Sequence, residues 1–474
     1  MAKRLNDLSY APIHRLAPAI AGGELRSVEL VKTCLSRIRN WDPKLHAMAD
    51  VYWEEAMTAA RLRDEEVDAG KLRGPLHGIP VAFKDLCEIE GKVTTCGSLM
   101  WRDRISPMTA DVVQRLLACG MVAIGKTHMV EFAFGGWGTN TKMGTPVNPW
   151  DMDEARVPGG SSSGSAVAVA AGYVPVALGS DTGGSVRIPA SMCGTVGLKT
   201  SAGTISNHGI LPLSRTLDTI GPLVRSVEDA ALMLAALRDP GRTEPVRKGV
   251  RSADPVAEMK SGVAEIRIGV LSDDDCEGID LEVMAAYREA CRTFKRLGAQ
   301  VEQVCLPAAF PDYLKQVGKI IAAEAYGVHK HWIEDEGLPF DPDVRIRVLA
   351  GKSITPAEYD LACDLRQAAQ QEFNATIKGI AALLTPTTPV AAIPVSEVDQ
   401  RSLIMSRFTR AVNYLDLCAL AVPCGFTQAG LPVSLQIICR KYDEQGALRI
   451  GWAFENETAW TARTPSLTPA IPGK

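Results

Sequence analysis

Histidine is scarce in this chain, at seven residues, and none of them stands at HExxH or zinc-finger spacing from a second ligand. The one close pair is His329 and His331, so no metal site is expected. No two of the twelve cysteines form a CxxC. Scattered from Cys34 to Cys439, they read as buried small hydrophobes rather than a disulfide framework. Charge of one sign is not in excess either: 51 basic residues face 55 acidic ones, a net charge of −4. That balance favours neither nucleic acid nor an anionic membrane as partner. The longest small-apolar run, Ala166 to Leu178, is broken by Gly172 and Pro175 and is too short to span a bilayer. The first twenty residues contain no uninterrupted apolar core of a signal peptide. A soluble cytoplasmic protein without internal repeats or low-complexity tails is the expectation.

What is present reads as α/β. Helical apolar spacing covers Ser27 to Ile38 and Tyr52 to Ala69, and Ile79 to Phe83 reads as a short buried strand. Val112 to Cys119 reads as a helix closed by Gly120, followed by a strand from Met121 to Ile124. Ser163 to Ala171 is helical in pattern, and Val174 to Gly179 is a strand. This β-α-β order with apolar strands predicts a sheet covered by helices on both faces. Beyond Arg225 the pattern is mainly helical (Val227 to Leu237, Leu281 to Leu297, much of Ala308 to Lys378), with strands at Ile266 to Leu271, Ala382 to Leu384 and Val433 to Ile438. The polar stretch from Arg238 to Gly262 reads as a surface excursion. Length alone suggests two or three domains, but large α/β enzymes run this long as one unit.

Three motif readings compete for the chemistry. Gly120 to Thr127 satisfies the GxxxxGK[ST] pattern, but a phosphate cradle must be a flexible loop, and Met121 to Ile124 is itself the apolar strand. Gly160-Ser161-Ser162-Ser163-Gly164 matches a GxSxG elbow with Ser162 as nucleophile. That elbow must follow a buried strand, and here DMDEARVP precedes it. The third reading joins GGSSSGSA (from Gly159), DTGGSVR (from Asp181) and GIPVAFKDL, which places Lys84 at a strand end. Ser185 then sits on a turn at the carboxyl end of a strand, where open α/β sheets carry reactive groups. Its paired glycines let backbone N–H groups converge on an oxyanion. A single such cluster would read as a tight turn with capping serines. Two clusters 24 residues apart plus the lysine point to catalysis.

These residues, with DVVQRLLACGMVAIGKTHMVEFAFG, GTPVNPW, GSDTGGSVRIPASMCGTVGLKT, LDTIGPLVRSVEDAA, LLTPTTP and AVPCGFTQAGLPVSLQII in order, resemble the amidase signature family. The resemblance is dense from about Gly74 to Leu237 and thins through the helical middle. It implies one amidase domain over residues 1–474, with a large mixed sheet covered by helices on both faces. The signature core would lie at about 74–237 and a helical substrate-pocket region at about 281–380. It makes Ser185 the nucleophile, Ser161 the bridging serine after a cis peptide bond from Gly160, and Lys84 the base. The backbone amides of Thr182, Gly183, Gly184 and Ser185 become the oxyanion hole, with Asp181, Arg187, Gly160 and Ser162 in support. Lys84 must then be neutral, far below its usual value near 10.4, and Asp85 must face away from it.

The implied activity is hydrolysis of a carboxamide through a seryl acyl-enzyme, with no metal or cofactor, on a small-molecule amide with an apolar or aryl acyl group. A homodimer is left open. The alternative within the family is the glutaminase A subunit of a tRNA-dependent amidotransferase. Against it, Ser406 stands where such relatives carry an aspartate for the glutamine amino group, seven residues before Asn413. The sequence also departs from the common pattern at Thr200-Ser201, His128 and Asp416; the last is open between reshaping the pocket and being a satisfied core carboxylate. A GxSxG α/β-hydrolase and a nucleotide-binding protein remain as distant alternatives.

Overall fold

Eleven short strands, most of them apolar runs bounded by glycine, proline or charge, join one mixed sheet in this computed structural model, which describes residues 8–238 and 254–467. The strands are β1 (Met48–Val51), β2 (Pro80–Lys84), β3 (Val122–Thr127), β4 (Val176–Asp181), β5 (Val196–Lys199), β6 (Thr219–Val224), β7 (Arg267–Val270), β8 (Gln300–Gln303), β9 (Ala382–Pro386), β10 (Cys418–Phe426) and β11 (Pro432–Cys439). Their order across the sheet is β1-β3-β2-β4-β6-β5-β10-β11-β9-β7-β8. The expected helices form at Ser27–Leu45, Trp53–Asp68, Asp111–Ala118, Ser163–Ala170, Val227–Leu237 and Leu281–Arg296. Of the polar excursion, residues 239–253 lie outside the described residues.

Adjacent residues of a strand point to opposite faces, and here both faces are buried. Val81 and Phe83 of β2 enter one apolar cluster, together with helices Ile13–Ala21, Asp111–Ala118 and Val227–Leu237. Ala82, between them, enters another, built with helices Ser27–Leu45 and Ser163–Ala170. Burying a side chain such as Phe83 contributes about 2 kcal/mol, so continuous apolar strands are what a two-sided core requires.

The central strands set up the site. β2 runs parallel to both β3 and β4, with Phe83 opposite Leu178, so Lys84 and Asp181 finish at the same edge of the sheet. The small residues of SGSAVAVA let helix Ser163–Ala170 lie close on these strands. Ser165 pins it there, its Oγ within 2.9 Å of the Leu178 carbonyl and 2.7 Å of Thr127 Oγ1.

Candidate active site

Lys84 ends β2 with no exposure to solvent, and its Nζ lies 2.7 Å from Ser161 Oγ and 2.8 Å from Ser180 Oγ. Burial pulls its pKa down to about 7, against smaller opposing effects of buried thiols and carboxyls around it. Asp85, one residue on, points away: its Oδ1 pairs with Lys126 Nζ at 2.7 Å and its Oδ2 accepts from the Thr95 amide at 3.0 Å. Lys126, the lysine of the phosphate-loop pattern, is thus spent inside the core at the end of β3, and that pattern holds no cradle.

The Gly160–Ser161 peptide bond is cis. Ser162 follows, fully buried, with its Oγ accepting from the Ser180 amide at 3.3 Å. It braces β4, so the elbow reading has neither a preceding strand nor an accessible nucleophile. Ser185 lies on the turn after β4 and lines a cavity of about 440 Å³. No hydrogen bond joins the Ser161 and Ser185 hydroxyls; the backbones are tied instead, Ser162 N–H donating to the Ser185 carbonyl at 3.2 Å.

The turn is held by a buried ion pair. Arg187 donates to Asp181 through Nε (3.0 Å) and a terminal nitrogen (2.8 Å), and also to Thr409 O, Gln436 Oε1 and Asn413 Oδ1. Burial alone would raise the Asp181 carboxyl, but the charge and hydrogen bonds of Arg187 outweigh it and hold it far below the carboxylate range. Asp181 Oδ1 also accepts from the Gly184 amide at 2.8 Å. Of the four amides expected to form the oxyanion hole, the Gly184 N–H is thus engaged, while those of Thr182, Gly183 and Ser185 have no acceptor among the described residues. Gly184 matters differently, since its φ is +126° and a Cβ there would lie 2.2 Å from Thr409 Oγ1.

The cavity beside Ser185 is walled by Phe134, Trp137, Ile188 and Ile321 and carries Arg347 and Arg410. It draws on the helices Leu314–Ile333 and Pro342–Leu349 of the chain's middle. Among the described residues there is no cluster of three or more metal-ligating side chains, and no helix is long and apolar enough to cross a membrane.

Residues 29–448 match the family model described as Amidase. The chain belongs to the amidase family. This amidase is 36% identical, over 98% of its length and 100% of the relative's, to the A subunit of the glutamyl-tRNA(Gln) amidotransferase of Chloroflexus aggregans. Among solved structures, the corresponding A subunit from Thermotoga maritima superimposes with a TM-score of 0.78 at 32% identity, covering 95% of each chain. The peptide amidase from Stenotrophomonas maltophilia gives 0.84 at 29% identity, covering 98% of this chain and 99% of that one. The protein is therefore a hydrolase of amide C–N bonds with the amidase signature fold.

Ser180 and Asp218, beside this amidase's site, carried no signal of their own in the sequence. Ser180 is a second hydroxyl on Lys84, and only the parallel register of β2 and β4 brings it there. Asp218 accepts from Thr182 Oγ1 and from the amides of Leu213 and Ser214; burial raises it to about 6. Asn413 reaches Asp181 across 232 residues of sequence. Asp416, left open between reshaping the pocket and serving as a satisfied carboxylate, does not line the cavity and pairs with Lys441 at 2.6 Å, with φ at +55°. His128 does not line it either, its backbone instead joining Ala47 and Gly164.

Proposed function

We propose that this amidase cleaves a carboxamide through an acyl-enzyme on Ser185, with Lys84 as base and Ser161 as the bridge between them. The observation that carries the reading is Lys84: fully buried, two hydroxyls within 2.8 Å, its neighbouring carboxylate turned to Lys126. A neutral amine accepts the Ser161 proton while Ser161 takes that of Ser185, whose Oγ forms a bond to the amide carbon. The oxyanion is met by the amides of Thr182, Gly183 and Ser185. Collapse breaks the C–N bond, and the proton held on Lys84 returns through Ser161 to the leaving nitrogen. Water then repeats the sequence and releases the carboxylate. The missing hydrogen bond between the two serines has to form with substrate bound, as catalytic contacts commonly tighten at that stage. A fluorophosphonate adduct mapped to Ser185 supports this reading; one on Ser162, or none, counts against it.

For the acyl group, full-length likeness to an amidotransferase A subunit favours glutamine over an apolar or aryl amide. On this reading glutamine gives ammonia to a partner protein. Ser406 argues in the other direction. It lines the cavity, its hydroxyl is engaged with the Leu403 carbonyl at 3.0 Å, and it offers no carboxylate to an amino group. Ammonia release from glutamine, compared with a neutral aryl amide, separates the two.

A further inference from the structure

The cavity beside Ser185 contains a cation that its own walls do not answer. Arg410 begins the short helix Arg410–Tyr414 and crosses over the oxyanion turn, so that a Cβ added to Gly183 would lie 3.4 Å from its Cγ and Nε. Among the described residues its guanidinium has no hydrogen bond and no ion pair, and its Nε is buried without a partner. Arg187, buried a few residues from the same turn, has Asp181; Arg410 has nothing comparable among the described residues.

Its charged surroundings make the imbalance worse. Arg347 lines the same cavity and acts on Arg410 as a like charge. Arg347 is itself fixed by the carbonyls of Phe134 and Gln400, both at 2.7 Å. Asp343, the carboxylate of the lining, acts on Arg347 and leaves Arg410 unpaired. Arg410 keeps some exposure because the cavity reaches it. Burial and then Arg347 lower it to about 10, which still leaves it protonated at neutral pH. A desolvated guanidinium without a counter-charge is costly, and a planar carboxylate is the group its fork of donors fits best.

We propose that Arg410 binds a free carboxylate on the acyl part of the substrate, which makes this enzyme selective for amides of dicarboxylic or amino-dicarboxylic type. The proposal rests on the acyl-enzyme reading of Ser185, because the acyl part is what must stay anchored after the amine has left. An anchor next to the oxyanion turn holds it through both steps. Glutamine belongs to this class, but an α-amino group is not needed for it.

The test uses glutaramate and its neutral counterpart glutaramide on the full chain, as wild type, Arg410→Leu and Arg410→Lys. Calorimetric binding and kcat/KM are both read, and melting temperature reports folding. We expect wild type to bind glutaramate at least about tenfold more tightly than glutaramide, the size of one charge-assisted contact. The preference should fall to within about twofold in Arg410→Leu and survive in part in Arg410→Lys, with no drop in melting temperature for the leucine variant. Equal binding of the two compounds by wild type, or an unchanged preference in Arg410→Leu, overturns the proposal. Glutaramate binding without hydrolysis of either amide would sink the acyl-enzyme reading and leave the carboxylate site standing.

Discussion

Lys84 and Asp181 are both buried near the carboxyl ends of neighbouring strands, and both are pulled down, which leaves Lys84 free to lose its charge and Asp181 bound to keep it. Desolvation without a close counter-ion brings Lys84 to about 7, whereas Arg187 overrides the same desolvation at Asp181. One is thereby fitted to exchange protons and the other to stay charged. A base must be unprotonated, so kcat/KM should fall about tenfold per pH unit below about 7 and level off above it. Stopped assays from pH 5 to 9 measure this. Lys84→Ala and Ser185→Ala should each lose at least about a thousandfold in kcat while keeping the wild-type circular dichroism. At Asp181 the effect is structural. Asp181→Asn leaves Arg187 buried with its counter-charge gone and should cost about 3–5 kcal/mol, read by denaturant unfolding.

Among the elements, the turn after β4 is tightly constrained. A side chain at Gly184 meets Thr409 at a positive φ, so Gly184→Ala should displace the turn, abolish Ser185 labelling and lower stability by about 1–3 kcal/mol. The strands of the sheet differ in how legible they were. β2, β3 and β4 are apolar runs ended by glycine or charged residues, and their two-sided burial matches their pattern. β6 reads TIGPLV, with Gly221 and Pro222 inside it, both ordinary strand breakers. It forms because β4 and β5 pair with it, and a Cβ on Gly221 would lie 1.9 Å from the Leu198 carbonyl. β10 hides Pro423 and Gly425 at a register shift against β11. β8, QVEQ, lies at the end of the sheet and shows neither an apolar run nor full burial. In each case tertiary pairing, which no local window contains, decides the element.

At the scale of the whole molecule, the sequence placed the serines and Lys84 in the order of a known family, and the fold brings Lys84, Ser161 and the Ser185 turn to one sheet edge. Arg410 and Ser180 were not legible, because each meets the site through contacts far from it in the chain. The fold also links catalysis to stability. Lys84 is brought from 10.5 to about 7 on folding, so between those values the unfolded chain binds the extra proton. The cost of burying it is therefore greatest below pH 7 and fades as pH rises toward 10.5. Lys84→Met should melt above wild type near pH 6, with the gap narrowing steadily toward pH 10; a gap constant with pH would contradict a neutral buried lysine.

The relay itself is tested most directly by the rate at which a fluorophosphonate labels the protein across pH, with the adduct mapped. The expected result is an adduct on Ser185 whose rate rises through an apparent pKa of about 7, with that dependence lost in Lys84→Ala. Labelling of Ser162, or a Ser185 rate that keeps the same pH profile without Lys84, would contradict it.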